Sequence, residues 1–214
     1  MTSREPGRTP ISLTSDGLFL QLKDGAAGYA AIVDSPEDDA ELDIVFGCFR
    51  AESAPDAEYL AITEGIEQIQ RSYNACGLCD IVAYTDFQAF ERAHREYMSG
   101  IHSARNRKTT DLWTRFMKRH PDIRLDVRWI PRKSGTIHYQ MCDSLSRMAA
   151  RTYARAMRNS RDRNAIVRLS ARVNRTQLEE WSSLKASLGA MLKRRLFTQG
   201  SLSPADAAGR KPQP

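Results

Sequence analysis

Hydrophobic residues over the first two thirds of the chain fall into short runs that are typical of buried strands. These runs cover residues 11–16, 26–34, 41–49, 81–84 and 123–130. The first three runs follow one another with short polar links, which favours an antiparallel meander. The fourth leads directly into a helical pattern, which is typical of a central strand in an α/β sheet.

Apolar residues at helical spacing predict helices between and after these strands. One stripe recurs at spacings of four, three and four, and consists of Ile62, Ile66, Ile69 and Tyr73. Pro55 suits the start of that helix. Further helical patterns cover residues 87–97, 112–116 and 139–158. Trp113 is expected to lie in the core rather than to stack on a nucleic-acid base.

The last fifty residues carry a different pattern. Residues 167–173 alternate between apolar and polar, which favours a strand, although a helical register also fits. Thr176 and Glu179 have the spacing of a capping box ahead of an amphipathic helix. A strand followed by such a helix is also typical of a ribbon-helix-helix module. We favour an extension that packs on the domain or on a partner, through self-association or a second protein at residues 165–196.

These patterns divide the chain into four parts. Residues 1–10 are a disordered lead-in, 11–158 a folded domain, 159–198 a basic extension, and 199–214 a disordered tail rich in Ser, Pro, Ala and Gly. We therefore expect truncation after Arg158 to leave the core folded but to weaken nucleic-acid binding, with a smaller salt dependence.

Composition and charge point to a soluble protein that binds a polyanion. Of the 214 residues, 41% are apolar, and no apolar run approaches the roughly 20 residues that span a bilayer. With no signal-peptide pattern either, we expect a cytoplasmic location without membrane contact. Residues 1–100 hold 7 Lys/Arg and 18 Asp/Glu, and the remainder holds 25 and 8. This asymmetry predicts a basic surface for nucleic acid beside an acidic, cation-binding region, although two solvated faces have the same charge count.

Two of the four cysteines, Cys76 and Cys79, form a CxxC motif. A zinc site would need a second pair or nearby histidines, which the sequence lacks. Reduced thiols in a loop are therefore the favoured interpretation.

Four carboxylates stand at positions where chemistry is expected. They are Asp16 and Asp86 at strand ends, Glu58 on the inner stripe of the first helix, and Asp143 near the start of the helix at 139–158. If the strands carrying Asp16 and Asp86 pair, all four can meet at one sheet edge. Clustered carboxylates repel one another unless a hard cation such as Mg²⁺ or Mn²⁺ is bound. Taken by itself, Asp86 is equally explained as the N-cap of the next helix.

Six short motifs occur in a recognisable order. They are Asp16-Gly17, Ala57-Glu58 followed by Leu60-Ala61, Tyr84-Thr85-Asp86, Asp111-Leu112-Trp113, Trp129 with Pro131, and Cys142-Asp143 followed by Leu145 and Arg147. Their order and context resemble type 1 ribonuclease H over about residues 11–150. The resemblance implies an RNase H-like α/β fold with a five-stranded mixed sheet and helices on both faces. It also implies a two-metal endonuclease that cuts the RNA strand of RNA/DNA hybrids, with Mg²⁺ or Mn²⁺ held by Asp16, Glu58, Asp86 and Asp143.

The sequence departs from the family pattern in several places. Leu18 and Phe19 follow Asp16-Gly17, where the family has Ser and a Gly-rich turn. Lys133 stands where the family places a catalytic His; it can neutralise a phosphate but is a poor proton shuttle near pH 7. His138 could substitute, although a surface His without a role is the simpler interpretation. Tyr139-Gln140 replaces the family's Asn-Glu. The basic handle is short, and the expected nucleic-acid contacts are Arg105, Arg107, Lys108, Arg132 and Lys133.

Three hypotheses follow for the function. The first is a metal-dependent ribonuclease acting on RNA/DNA hybrids, favoured because all four acids are retained. The second is a non-catalytic RNase H-like module that binds nucleic acid or protein, consistent with Lys133 and the altered first hairpin. The third is a related nuclease with another nucleic-acid substrate.

Overall fold

A computed structural model describes residues 10–21, 25–36, 38–73, 80–101, 107–121, 123–131, 136–157 and 166–199. In chain order the elements are β1 (Ile11–Leu20), β2 (Ala26–Asp34), β3 (Glu41–Arg50), α1 (Ala54–Ser72), β4 (Asp80–Thr85), α2 (Gln88–Ser99), α3 (Arg107–Arg119), β5 (Arg124–Trp129), α4 (Ile137–Met157), β6 (Val167–Asn174) and α5 (Trp181–Gln199). A 3-10 turn, Arg175–Leu178, precedes α5. Within the described ranges, no helix has the length and apolar content needed to cross a membrane.

The strands form one mixed sheet in the order β5-β4-β1-β2-β3-β6. Strands β1, β2 and β3 make the predicted antiparallel meander. Strand β4 runs parallel to both β1 and β5. Strand β1, which carries Asp16, therefore lies beside β4, which ends directly before Asp86. Helices α1, α2 and α3 cover one face of the sheet, and α4 and α5 cover the other. The predicted α/β fold is thus confirmed.

The core forms where the periodicity predicted it. Ile62, Ile66 and Ile69 of α1 are fully buried against the sheet, and Trp113 of α3 is fully buried as expected. Strand β1 is longer than predicted, because it continues past Asp16 to Leu20 and pairs there with β2. The sequence does not mark this continuation, since Gly17 interrupts the apolar alternation.

The C-terminal extension is a structural part of this sheet. Residues 167–174 form a strand, not a helix, and this strand lies antiparallel to β3, so the sheet has six strands instead of five. The capping box lies two residues earlier than predicted, at Asn174 and Gln177, and α5 continues to Gln199. Leu188, Leu192 and Leu196 of α5 are buried on the same side as α4. The apolar face of the extension is therefore covered within the chain.

Three arginines of the extension pair with acids of the core. Arg168 pairs with Glu64, which is 4% exposed, and Arg172 donates to Asp43, which is 3% exposed, at 3.0 Å. Arg175 donates two hydrogen bonds to the Asp34 carboxylate, at 2.5 and 3.3 Å. Part of the charge asymmetry along the sequence is therefore neutralised inside the molecule, because a buried carboxylate is stable only when it is paired.

Candidate metal centre

Three carboxylates meet at the edge of the sheet between β1 and β4. One oxygen each from Asp16, Glu58 and Asp86 lies within 4.8 Å of the other two. Asp16 and Glu58 are only 5% and 3% exposed, and Asp86 is partly buried. Three of the four acids predicted from the sequence therefore form one cluster.

Asp16 reaches this edge although it lies inside β1. The parallel pairing between β1 and β4 ends at Ser15 and Thr85, because β4 stops there. Asp16 is the first residue of β1 beyond that pairing, and Asp86 is the first residue after β4. The two carboxylates are thus neighbours at the carboxyl end of adjacent parallel strands, where open α/β sheets place their ligand sites.

Glu58 joins the cluster because Gly17 allows α1 to approach β1 closely. A Cβ at Gly17 would lie 2.4 Å from the backbone of Ala57 and Glu58, a distance that no side chain tolerates. The Gly17 amide donates to Glu58 Oε2 at 3.0 Å. This hydrogen bond partly offsets the cost of burying the Glu58 carboxylate near the first turn of the helix.

A second glycine brings α4 to the opposite face. A Cβ at Gly28 of β2 would lie 2.1 Å from the Ser146 carbonyl oxygen, so only glycine permits this packing. As a result the Ser146 hydroxyl donates a short hydrogen bond to Asp16 Oδ2. Helix α4 thereby orients the carboxylate of a metal-ligand candidate.

Asp86 is held at its backbone and at its side chain. The Trp129 indole donates to the Asp86 carbonyl at 3.1 Å, and the Tyr139 hydroxyl donates to Asp86 Oδ2 at 2.9 Å. Phe87 is the N-cap residue of α2, and no side chain caps that helix. The alternative in which the Asp86 side chain is a helix cap is therefore wrong, and that side chain faces the cluster.

The cluster fits a hard divalent cation. All its donors are carboxylate oxygens, which suit Mg²⁺ or Mn²⁺ better than zinc. Two of these carboxylates are almost fully buried, and three like charges at this distance repel unless a cation compensates. Asp16, Glu58 and Asp86 are the residues that would hold it.

Asp143 lies on α4 beside the cluster but outside it. Its carboxylate is 38% exposed and makes an ion pair with Arg147. Its charge still helps to raise the pKa of Tyr139 and of Cys142, so it is close to the site. Burial, followed by the charge of Asp16, raises the pKa of the Cys142 thiol well above its ordinary value. Cys142 stays protonated and donates to the Thr14 carbonyl, which excludes it as a thiolate ligand.

The structure describes only some of the basic residues that the sequence predicts to bind nucleic acid. Arg105, Arg132 and Lys133 lie outside the described residues, as do Cys76 and Cys79. Lys108 pairs with Asp56 at 3.2 Å and lies near Glu52, at the start of α1. Arg107 is 87% exposed and lies 3.8 Å from Asp111.

His138 is not positioned to replace the family's catalytic histidine. Its pKa is lowered by burial, and the charges that act on it are those of Asp34 and Arg175. These two residues form the ion pair that anchors the start of the 3-10 turn. His138 therefore lies beside that pair and not at the carboxylate cluster.

Tyr139 and Ser146 are functional candidates that sequence reasoning missed. They lie four residues before and three residues after Asp143, so one face of α4 presents all three towards the site. In the sequence, Tyr139 stands out only as a departure from the family's Asn. The helical spacing around Asp143 is the signal that could have identified both hydroxyls.

Replacing Tyr139 with Phe is expected to weaken metal binding by about 10- to 100-fold, the usual cost of losing a group that orients a ligand. Burial, the charge of Asp16 and the hydrogen bond to Asp86 all raise the Tyr139 pKa, so its hydroxyl remains a donor through the alkaline range. Calorimetric titration with Mn²⁺ measures the change directly.

Tyr97→Phe is the matched control, because Tyr97 lines a cleft at the opposite end of the sheet with Asp80 and Ile81. Equal Mn²⁺ affinity in Tyr139→Phe and Tyr97→Phe would contradict an orienting role for Tyr139.

No family model matches the chain. A ribonuclease HI from Campylobacter jejuni is 25% identical over 147 residues, which are 68% of this chain and 94% of that protein. LC11-RNase H1, solved in complex with an RNA/DNA hybrid, has a TM-score of 0.52 and 14% identity and covers 66% of this chain and 96% of its own. LC9-RNase H1, described as a type 1 RNase H with the type 2 active-site motif, has a TM-score of 0.51 and 14% identity, covering 99% of this chain and 95% of its own. The resemblance predicted from the motif order is confirmed.

Proposed function

We propose that this chain, a type 1 ribonuclease H-like protein by its fold and its sequence relatives, is a metal-dependent endonuclease that hydrolyses the RNA strand of RNA/DNA hybrids. The observation that carries the proposal is the buried cluster of Asp16, Glu58 and Asp86. A binding module has no chemical need for three converging carboxylates, two of them with almost no exposure to water.

The supporting side chains match this activity. Ser146 and Tyr139 orient the carboxylates of Asp16 and Asp86, and the Gly17 amide orients Glu58. Asp16, Glu58 and Asp86, with Asp143 beside them, would hold two divalent ions. Such ions, when bound, activate a water and stabilise the leaving oxygen of a phosphodiester.

The described residues also limit which groups can transfer a proton. Tyr139 is a poor proton donor to a leaving group, because its pKa is raised, and Cys142 is protonated and faces the Thr14 carbonyl. We propose that Lys133, at the place of the family's His, neutralises a phosphate and that water carries the proton. This assignment predicts activity that rises with pH as hydroxide becomes available, without a break near the ordinary pKa of histidine.

Cleavage of end-labelled substrates tests the proposal. The protein is incubated with an RNA/DNA hybrid, duplex DNA and duplex RNA, each with Mg²⁺, with Mn²⁺ or with EDTA. We expect internal cuts in the RNA strand of the hybrid, with either metal and not with EDTA.

The other arms distinguish the alternatives. Metal-dependent cutting of duplex DNA or duplex RNA in preference to the hybrid identifies a related nuclease with another substrate. Tight binding of the hybrid without cleavage under any metal condition contradicts the enzymatic proposal and supports a non-catalytic module.

A further inference from the structure

The positive charge of the C-terminal half is unevenly neutralised. Arg168, Arg172 and Arg175, on β6 and the turn after it, are paired with core carboxylates. Arg151 and Arg155 of α4 form no ion pair with any carboxylate among the described residues. Both side chains belong to exposed residues. Of these five arginines, the two without an ion pair to a described carboxylate therefore lie on α4, not on β6.

The arginines of α4 form one stripe. Arg147, Arg151 and Arg155 are four residues apart and exposed, so they project from the same side of the helix at intervals of about 6 Å. The stripe starts one turn beyond Asp143, on the helix that orients Asp16 and Asp86. Its far end, Arg155, lies about 18 Å along the helix from Asp143.

Helix α5 adds further positive charge beside this stripe. It carries four Lys/Arg and no Asp/Glu. The Lys185 ammonium contacts the Ser144 hydroxyl, and Gly189 faces the Met148 sulfur, so α5 runs parallel to α4. Lys193, one turn after Gly189, is exposed and lies level with the middle of the stripe. The one acid on these two helices is Asp143, which pairs with Arg147 at the end of the stripe nearest the carboxylate cluster.

We propose that this basic band, formed by Arg147, Arg151 and Arg155 of α4 with Lys193 of α5, is a second nucleic-acid contact that follows the phosphate backbone of the duplex away from the cleavage site. It rests on the proposed function and extends it to residues that neither the motif order nor the predicted basic handle includes. Arginines at regular intervals suit a phosphate backbone, because guanidinium forms strong hydrogen bonds to phosphate and binds it without reading sequence.

The position of the band favours nucleic acid over another anionic partner. The band is continuous with the carboxylate cluster through α4, and the distance of about 18 Å from Asp143 to Arg155 corresponds to about five base pairs of duplex. A duplex placed at the cluster and extended along α4 meets each arginine in turn. An acidic protein would have no reason to lie in line with the cluster.

Binding of a hybrid to the double variant Arg151→Ala/Arg155→Ala tests the band. Both substitutions are made in an Asp86→Asn background, so that the substrate stays intact, and affinity is measured by fluorescence anisotropy at several salt concentrations. Each lost phosphate contact lowers the slope of log affinity against log salt by about 0.9, so we expect a slope smaller by about 2. The affinity loss is larger for a hybrid of about 20 base pairs than for one of about 6, which, when centred on the cluster, extends only about 10 Å to each side and does not reach Arg155.

Arg71→Ala/Arg124→Ala is the matched control. It removes the same charge from the last turn of α1 and the start of β5, at the opposite end of the sheet. If Arg151→Ala/Arg155→Ala has the same salt slope and affinity as this control, and the protein with Asp86 intact cleaves hybrids, the basic band is contradicted and the proposed function is not affected. If the salt slope of Arg151→Ala/Arg155→Ala is reduced, but the protein with Asp86 intact binds hybrids without cutting them, the basic band is supported and the enzymatic proposal fails.

Discussion

Replacing Asp86 with Asn is expected to lower hydrolysis of hybrid RNA by about a thousandfold or more. Asn keeps the shape of the side chain and can still accept the Tyr139 hydroxyl, but it removes one of the three charges that attract a divalent cation. A bound metal contributes several kcal/mol of charge stabilisation to a transition state, and about 4 kcal/mol corresponds to three orders of magnitude in rate. Single-turnover cleavage with Mg²⁺ measures the loss.

The same variant also gives a readout that does not depend on activity. Divalent metal at a hundred times its Kd should raise the Tm of the wild type by roughly 5 to 10 °C, because the ion binds only the folded state. Asp86→Asn should lose most of this rise. Without metal it should be at least as stable as the wild type, since one repulsive charge is removed from the cluster.

Asp126→Asn is the control, because Asp126 lies on β5 and pairs with Arg128 away from the cluster. It should retain both the activity and the metal-induced rise in Tm. Wild-type activity in Asp86→Asn would show that the cluster is not the catalytic centre.

Truncation after Arg158 is expected to abolish cooperative folding. The deletion removes β6 and α5 with five buried aliphatic side chains, namely Val167, Val173, Leu188, Leu192 and Leu196. Burying such residues contributes about 10 kcal/mol in total, comparable to the whole stability of a typical domain. The deletion also leaves Glu64 and Asp43 buried without their arginines and exposes the edge of β3.

Thermal and urea unfolding followed by circular dichroism test this expectation. Deleting residues 200–214, which the sequence predicts to be a disordered tail, is the control and should leave the transition unchanged. Leu192→Ala provides a graded version in the full chain, with an expected cost of about 2 to 5 kcal/mol, because Leu192 is fully buried. A cooperative transition at the wild-type temperature after truncation at Arg158 would show instead that the extension is separable, as the sequence pattern alone suggests.

Local patterns were sufficient for most of the elements. The run at 26–34 predicted β2 with its exact bounds, and the isoleucine stripe predicted the buried face of α1. Such patterns are reliable because a strand buried on both faces is a continuous apolar run, and a helix that covers a core repeats its apolar residues at its own period. The continuation of β1 beyond Asp16 was missed, because Gly17 gives no strand signal, although the strand that pairs with it, β2, follows directly in the sequence.

The carboxylate cluster could be predicted in part. Motif order identified Asp16, Glu58 and Asp86, and the structure brings their oxygens together. Motif order did not show that Asp143 pairs with Arg147 beside the cluster. It also did not show that the hydroxyls of Tyr139 and Ser146 donate to Asp86 and Asp16. The contacts of Tyr139 and Ser146 depend on how far α4 approaches β2, which is decided by the space at Gly28.

The sequence alone determined the α/β class, the strand and helix order, the candidate acids and the resemblance to ribonuclease H. These properties follow from local periodicity and from residue types in order along the chain. The tertiary structure alone decided that the extension completes the sheet and that its arginines neutralise core acids. It also left the arginines of α4 exposed beside the carboxylate cluster. The physical reason is that pairing and packing join residues up to 141 positions apart, such as Asp34 and Arg175, and no local pattern records which charges will meet.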